Sequence, residues 1–123
     1  MLVSEKIKIT KEMVINFSEL VGDKNPLHLD TEYCANTKFE KPIVPGMFLS
    51  SFFSKLISEK YPGPGSIYLS QNLSFISPCF INDTVNVVIE LKEKINNKYY
   101  LKTIIYDLDG NKIIEGDALI LKK

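Results

Sequence analysis

Residues 46–59, Gly-Met-Phe-Leu-Ser-Ser-Phe-Phe-Ser-Lys-Leu-Ile-Ser-Glu, constrain the fold more than any other stretch of the chain. Met47, Phe48, Leu49, Phe52, Phe53, Leu56 and Ile57 cover most of the circumference of a helix here, and the polar residues between them are mainly small serines. A helix that is apolar nearly all round has to be buried rather than laid on a surface. Whatever surrounds it must be supplied by the rest of the chain. Tyr61-Pro62-Gly63-Pro64-Gly65 ends it.

Beyond that break the apolar period changes from 3.6 to 2. Ile67, Leu69, Leu73 and Phe75 alternate with polar or smaller residues across one strand, and Val85, Val87, Ile89 and Leu91 do so across the next. Asn96-Asn97-Lys98 reads as a hairpin turn into a strand around 99–108, and Asp109-Gly110-Asn111 as a second turn into 112–121. Strict alternation means that each strand has one face on a core, as in an antiparallel sheet. Upstream, residues 3–9 alternate as a short edge strand. Thr10 then offers a helix cap, Met13, Val14, Phe17, Leu20 and Val21 form one apolar stripe to be buried, and Gly22 stops the helix. Asp23-Lys24-Asn25-Pro26 is a turn, a further short helix runs from about Thr31 to before Phe39, and residues 41–46 are extended. Helices first and a meander of strands after predict an α+β class. The direct way to bury helix 46–59 is to curl the antiparallel sheet around it, which is the hot-dog arrangement. At 123 residues the chain is one domain, 1–123.

Charge and cysteine content narrow the partners. Fifteen basic and fifteen acidic residues cancel, so no basic field predicts nucleic acid and no polybasic segment predicts a membrane surface. Apolar runs are broken well short of a spanning length. Glu5 and Lys6 interrupt the start, so no signal peptide is expected. Cys34 and Cys79 are far apart and form no spaced framework; they read as free thiols of a reducing compartment, the cytoplasm.

The only histidine is His28, within Gly22-Asp23-Lys24-Asn25-Pro26-Leu27-His28-Leu29-Asp30. Asp23 and His28 lie five residues apart across a proline turn and could converge on one small site, holding a water between a proton acceptor and a donor. A surface histidine beside two loop aspartates fits the spacing equally well, and spacing alone does not decide. One His and two distant Cys cannot close a zinc site, although Asp23, His28 and Asp30 could in principle hold a cation. Cys34 reads as a small core-lining thiol rather than a nucleophile. Val44-Pro45-Gly46 leads into the buried helix, whose first N–H groups have no partner within it and favour an oxyanion, such as one developing on a thioester carbonyl. Proline and glycine there are also ordinary helix-start residues.

Residues 17–30, Phe-Ser-Glu-Leu-Val-Gly-Asp-Lys-Asn-Pro-Leu-His-Leu-Asp, resemble the motif of the MaoC-like (R)-specific enoyl-CoA hydratases, with its core Asp-x-Asn-Pro-(apolar)-His-x-Asp/Glu. The likeness continues through Phe39–Met47 and Gly65–Phe75 and covers nearly the whole chain. It implies reversible syn addition of water to a trans-2-enoyl-CoA, giving an (R)-3-hydroxyacyl-CoA. Asp23 and His28 match the pair that holds the water, and Gly46 matches the glycine whose N–H polarises the thioester carbonyl. Asn25, Ser54, Ile57 and Leu119 match substrate-side positions: Ser54 beside the acyl pocket, Ile57 near its floor, and Leu119 where the last strand closes it. No metal or redox cofactor is implied; coenzyme A enters only as part of the substrate, and the relatives are homodimers joined through their sheets. The sequence departs from the family at Pro45, where a histidine is usual; proline removes a side-chain donor and a backbone N–H but leaves the Gly46 N–H in place. Two rival readings remain: a hot-dog acyl-CoA thioesterase, and a non-catalytic substrate-binding subunit of a heteromeric dehydratase.

Overall fold

The computed structural model describes all 123 residues. Strand β1 (Leu2–Lys8) opens the chain, followed by α1 (Lys11–Val21), α2 (Pro26–Leu29), α3 (Thr31–Ala35) and α4 (Gly46–Glu59). The strands β2 (Ile67–Gln71), β3 (Ser74–Phe75), β4 (Thr84–Ile95), β5 (Lys98–Tyr106) and β6 (Lys112–Leu121) complete it. All pairings are antiparallel, in the order β1-β4-β5-β6-β2, with β3 also paired to β6. Leu49, Phe53, Leu56 and Ile57 of α4 are buried in one cluster with Val85, Val87 and Ile89 of β4, Leu101 and Ile105 of β5, and Ile114, Ala118 and Ile120 of β6. The sheet therefore curls around the buried side of the helix. No helix is long and apolar enough to cross a membrane.

Local chemistry sets the element ends. Thr10 Oγ1 accepts the Met13 N–H at 3.2 Å to start α1, and Gly22 ends it in the left-handed conformation at φ 81°. Asn96, at φ 55°, makes the tight β4–β5 turn. Asp107 Oδ1 accepts the N–H groups of Asp109 and Asn111 to close the β5–β6 turn.

Four details differ from the sequence reading. Residues 67–75 form two strands rather than one, because Asn72 leaves the ladder. Its N–H donates to Asp117 O and its Oδ1 accepts the Asp117 N–H, both at 3.0 Å. This brings the Asn72 carbonyl down onto Gly116, where any β-carbon would collide with it. Helix α1 does not bury its whole stripe: Val14 and Ser18 are buried, whereas Leu20 is 85% exposed and Val21 is exposed too. The stripe's partner is the flank of α4, reached by the Phe17 ring 5.2 Å from Phe48. Helix α4 is covered on one side rather than all round, with Met47, Ser51 and Ser54 exposed. Finally, Pro26 does not merely end a turn but starts the helical turn α2, where its missing N–H costs nothing.

Candidate active site

The motif residues build a rigid platform for His28. Asn25 caps α2, its Oδ1 accepting the Leu27 N–H at 3.1 Å, and its carbonyl accepts the His28 N–H at 3.0 Å. The buried Cys34 thiol reaches back from α3 to the carbonyls of Leu27 (3.3 Å) and Pro26 (3.5 Å). Burial holds that thiol protonated by pushing its pKa up, with the Asp30 carboxylate adding to the shift. The Ile43 N–H donates to Leu27 O at 2.9 Å, tying the extended segment before α4 to the same turn. That segment is clamped from its other side by Val44 N–H to Cys79 O at 2.7 Å and by the Ile43–Phe80 bridge.

His28 is buried, and its Nδ1 lies 2.8 Å from the Ile43 carbonyl. A carbonyl oxygen can only accept, so Nδ1 carries the hydrogen, and in the neutral form of the ring the lone pair lies at Nε2. Nε2 has no hydrogen-bond partner within the chain. A hollow of about 230 Å³ is lined by Asp23, His28, Pro45, Gly46, Met47 and Phe75. Asp23 accepts the Asn25 N–H at 3.3 Å through Oδ1 and is otherwise exposed to this hollow. The Gly46 N–H opens α4, a helix of 14 residues, and meets no acceptor in the protein. A free N–H at that end of a helix favours negative charge. One acceptor, one carboxylate and one unpartnered donor therefore border a single hollow. Such a set can hold a water and polarise a carbonyl.

His28, Gly46 and Phe75 also line a second, larger cavity of about 360 Å³, whose other walls include Phe39, Leu49, Ile76, Cys79 and Ile113. The Cys79 thiol there is pushed up to about 12 by burial, with a smaller contribution from Asp83, and is not a nucleophile at neutral pH.

The structure thus brings together Asp23, His28 and Gly46. It does not bring the remaining expected residues to these cavities. Asn25 spends its side chain on the α2 cap. Ser54 is exposed on α4, and Ile57 is buried in the core beneath the sheet. Leu119, paired with Tyr100 and Ser70, alternates with the core residues Ala118 and Ile120 and faces away from α4. Asp30 caps α3 through the Tyr33 N–H at 3.0 Å, and no group of three His, Cys, Asp or Glu side chains could hold a metal ion. Two participants have no sequence signal of their own. The Ile43 carbonyl is a backbone group 15 residues from His28. Phe75 reads in the sequence only as one more apolar residue of a strand.

An antiparallel sheet curled about a helix, with this site at the helix start, is the hot-dog architecture of the MaoC-like hydratases and dehydratases. The MaoC like domain model matches residues 1–109, and the chain belongs to that family. It is 40% identical over 124 residues to the (R)-specific enoyl-CoA hydratase of Aeromonas caviae, covering 96% of this chain and 92% of that protein. It is 33% identical to the 3-hydroxybutyryl-CoA dehydratase of Methylorubrum extorquens, over 94% of this chain and 74% of the relative. Among solved structures, the (R)-hydratase of A. caviae involved in PHA biosynthesis superposes with a TM-score of 0.97 at 37% identity, covering 100% of this chain and 95% of that one. R-hydratase PhaJ1 of Pseudomonas aeruginosa gives 0.94 at 32% identity, over 99% and 79%.

Proposed function

We propose that the protein is an (R)-specific enoyl-CoA hydratase, adding water reversibly and syn across a trans-2-enoyl-CoA to give the (R)-3-hydroxyacyl-CoA. The observation that carries this reading is the convergence of Asp23, His28 and the unpartnered Gly46 N–H on one hollow. The names of the relatives supply the acyl-CoA substrate.

The fixed tautomer suggests how the work divides. Neutral His28 can only accept at Nε2, so it takes a proton from the water as the water oxygen bonds to C3. Asp23 accepts the water's second hydrogen and stabilises the imidazolium that forms. Electrons displaced from the C2–C3 bond move onto the thioester oxygen, which the Gly46 N–H and the α4 terminus receive. The imidazolium returns its proton to C2 from the same side, which makes the addition syn. Proton and electron pair are conserved without a further co-reactant.

Loss of enoyl-thioester absorbance with crotonyl-, hexenoyl- and octenoyl-CoA tests the activity. Asp23→Asn and His28→Ala should each slow it by about 10²–10⁴ without unfolding the protein. Near-native rates in both variants would remove the assignment. Release of free thiol without loss of the double bond would point to a thioesterase instead, and activity appearing only with a second, different chain would point to the non-catalytic subunit.

The functional form we infer is a homodimer joined at β2. The two sheet edges differ: β1 carries Glu5, Lys6 and Lys8, charges that guard an edge, whereas β2 reads Ile-Tyr-Leu-Ser-Gln, uncharged and exposed. Pairing β2 with its symmetry copy would satisfy that edge. Sedimentation showing an active monomer at assay concentration would refute it. Two free, buried thiols support placement in the cytoplasm.

A further inference from the structure

The turn from Asp23 to His28 separates two spaces. Asp23 and His28 border the reaction hollow, whereas Lys24 and His28 border a cavity of about 510 Å³ beside α1. That volume falls within the roughly 300–1,000 Å³ typical of small-molecule sites. Its lining is of two kinds. Ile15, Leu29, Pro42 and Ile81 give apolar walls, with Leu29 left 39% exposed. Lys11, Glu19 and Lys24 are exposed around them, and none of the three makes an ion pair within the protein. Two ammonium groups and one carboxylate therefore surround one cavity without neutralising each other, and all three are free for an outside partner.

We propose that this cavity holds the adenosine 3′,5′-bisphosphate end of coenzyme A, with Lys11 and Lys24 on its phosphates. The inference rests on the hydratase reading above and deepens it, because it says which part of the substrate lies outside the hollow and where. Each kind of lining has a counterpart in that nucleotide. The phosphates match the two unpaired lysines. The adenine amino group is an N–H donor and matches the Glu19 carboxylate. The faces of the base match the walls at Ile15, Leu29, Pro42 and Ile81. The placement also suits the reacting end. Lys24 directly follows Asp23, so a thioester held at Asp23, His28 and Gly46 has only to pass its flexible pantetheine arm over one turn of chain to reach the cavity. The acyl chain goes elsewhere: the resemblance gives it the side of Ser54, Ile57 and Leu119, none of which borders this cavity.

The test compares crotonyl-CoA with crotonyl-pantetheine, which has the same reacting end and no nucleotide. Removing both lysines (Lys11→Ala with Lys24→Ala) should raise KM for crotonyl-CoA by about tenfold, roughly a factor of three for each exposed charge pair, with kcat little changed. KM for crotonyl-pantetheine should stay within about twofold of wild type, since that substrate does not reach the lysines. Lys11→Ala alone, far in sequence from Asp23, should show the same selectivity at smaller size. Both side chains are exposed, so folding should survive, and a thermal melt checks this. Adenosine 3′,5′-bisphosphate should compete with crotonyl-CoA in the wild type, leave crotonyl-pantetheine alone, and bind more weakly to the double variant by calorimetry. Equal effects of the substitutions on the two substrates, or no effect on either, would remove the site while the hydratase stands. Inhibition by the bisphosphate that crotonyl-CoA cannot overcome would equally remove it, since the nucleotide would then be a separate ligand. If the wild type hydrates no enoyl thioester, the hydratase reading falls and calorimetry alone decides the site: binding that weakens in the double variant keeps it, and no binding to the wild type ends it.

Discussion

Gly46 bears two demands at once, and a single methyl group should separate them. Its φ is not in the left-handed region, so alanine suits the backbone there. On backbone grounds Gly46→Ala should stabilise the protein by about 0.4–1 kcal/mol, since alanine loses less freedom on folding. The Phe75 ring reverses the sign. A β-carbon 2.5 Å from two ring carbons must gain about 1 Å to reach ordinary contact near 3.5–4 Å, so the ring has to swing outward or α4 has to shift. Overpacking of this kind costs about 1–3 kcal/mol. Gly46→Ala alone should therefore be net destabilising by roughly 0.5–2 kcal/mol, and in a Phe75→Ala background it should be net stabilising. The assay is urea denaturation of the four proteins of the cycle, read as the shift in midpoint at constant slope. A coupling energy below about 0.5 kcal/mol, the usual scatter for sites that do not touch, would refute the contact.

Ser18 is buried in α1 with a hydroxyl that finds no partner, so Ser18→Ala should raise stability by about 1 kcal/mol, a few degrees in Tm; a lower Tm would show that the hydroxyl is satisfied after all. Pro45→His restores the residue usual before the glycine, within the hollow that Pro45 already lines, and should change kcat/KM far less than loss of Asp23 or His28. A wild type inactive on every enoyl-CoA, with activity switched on by Pro45→His, would overturn the division of labour drawn above. The Cys79 thiol, raised from an ordinary 9.0 to about 12, should hold about a thousandfold less thiolate at pH 8 than an unperturbed cysteine. Stability linked to this thiol is present below pH 9 and is lost as pH rises toward 12, because the folded state keeps the proton that the unfolded chain releases. Iodoacetamide labelling followed by mass spectrometry should find Cys79 inert at pH 8 in the folded protein and reactive in urea.

The elements legible in the sequence are those whose cause is local or periodic. Helix α4 was readable because its apolar residues, Met47 to Ile57, recur at helical spacing between Gly46 and the break at Tyr61–Gly65. The Thr10 cap and the Gly22 stop were readable because each acts within one turn. The two-strand break at 72–73 was not, since it depends on Gly116, more than 40 residues away in sequence and adjacent only once β6 is in place. The partial exposure of α1 was hidden for the same reason. Periodicity says which residues share a face, but not how much of that face the neighbouring α4 covers.

The candidate site divides along the same line. Asp23, Asn25, Pro26 and His28 are one local motif, in which Asp23 accepts the Asn25 N–H, Asn25 caps α2 and Pro26 starts it. What turns the motif into a site comes from elsewhere. The Ile43 carbonyl selects the tautomer of His28, and Ile43 is held in turn by Leu27 and Phe80. The start of α4 brings an unpartnered N–H to the same hollow. Phe75 arrives from a strand pinned to β6. The buried helix is the common support, because its burial fixes the position of its own first residue against the sheet. The same apolar run that dictates the fold therefore also aims the Gly46 N–H. A cavity-forming change such as Phe53→Ala, deep in the core and touching neither Asp23 nor His28, would then be felt in the hollow through the tilt of α4.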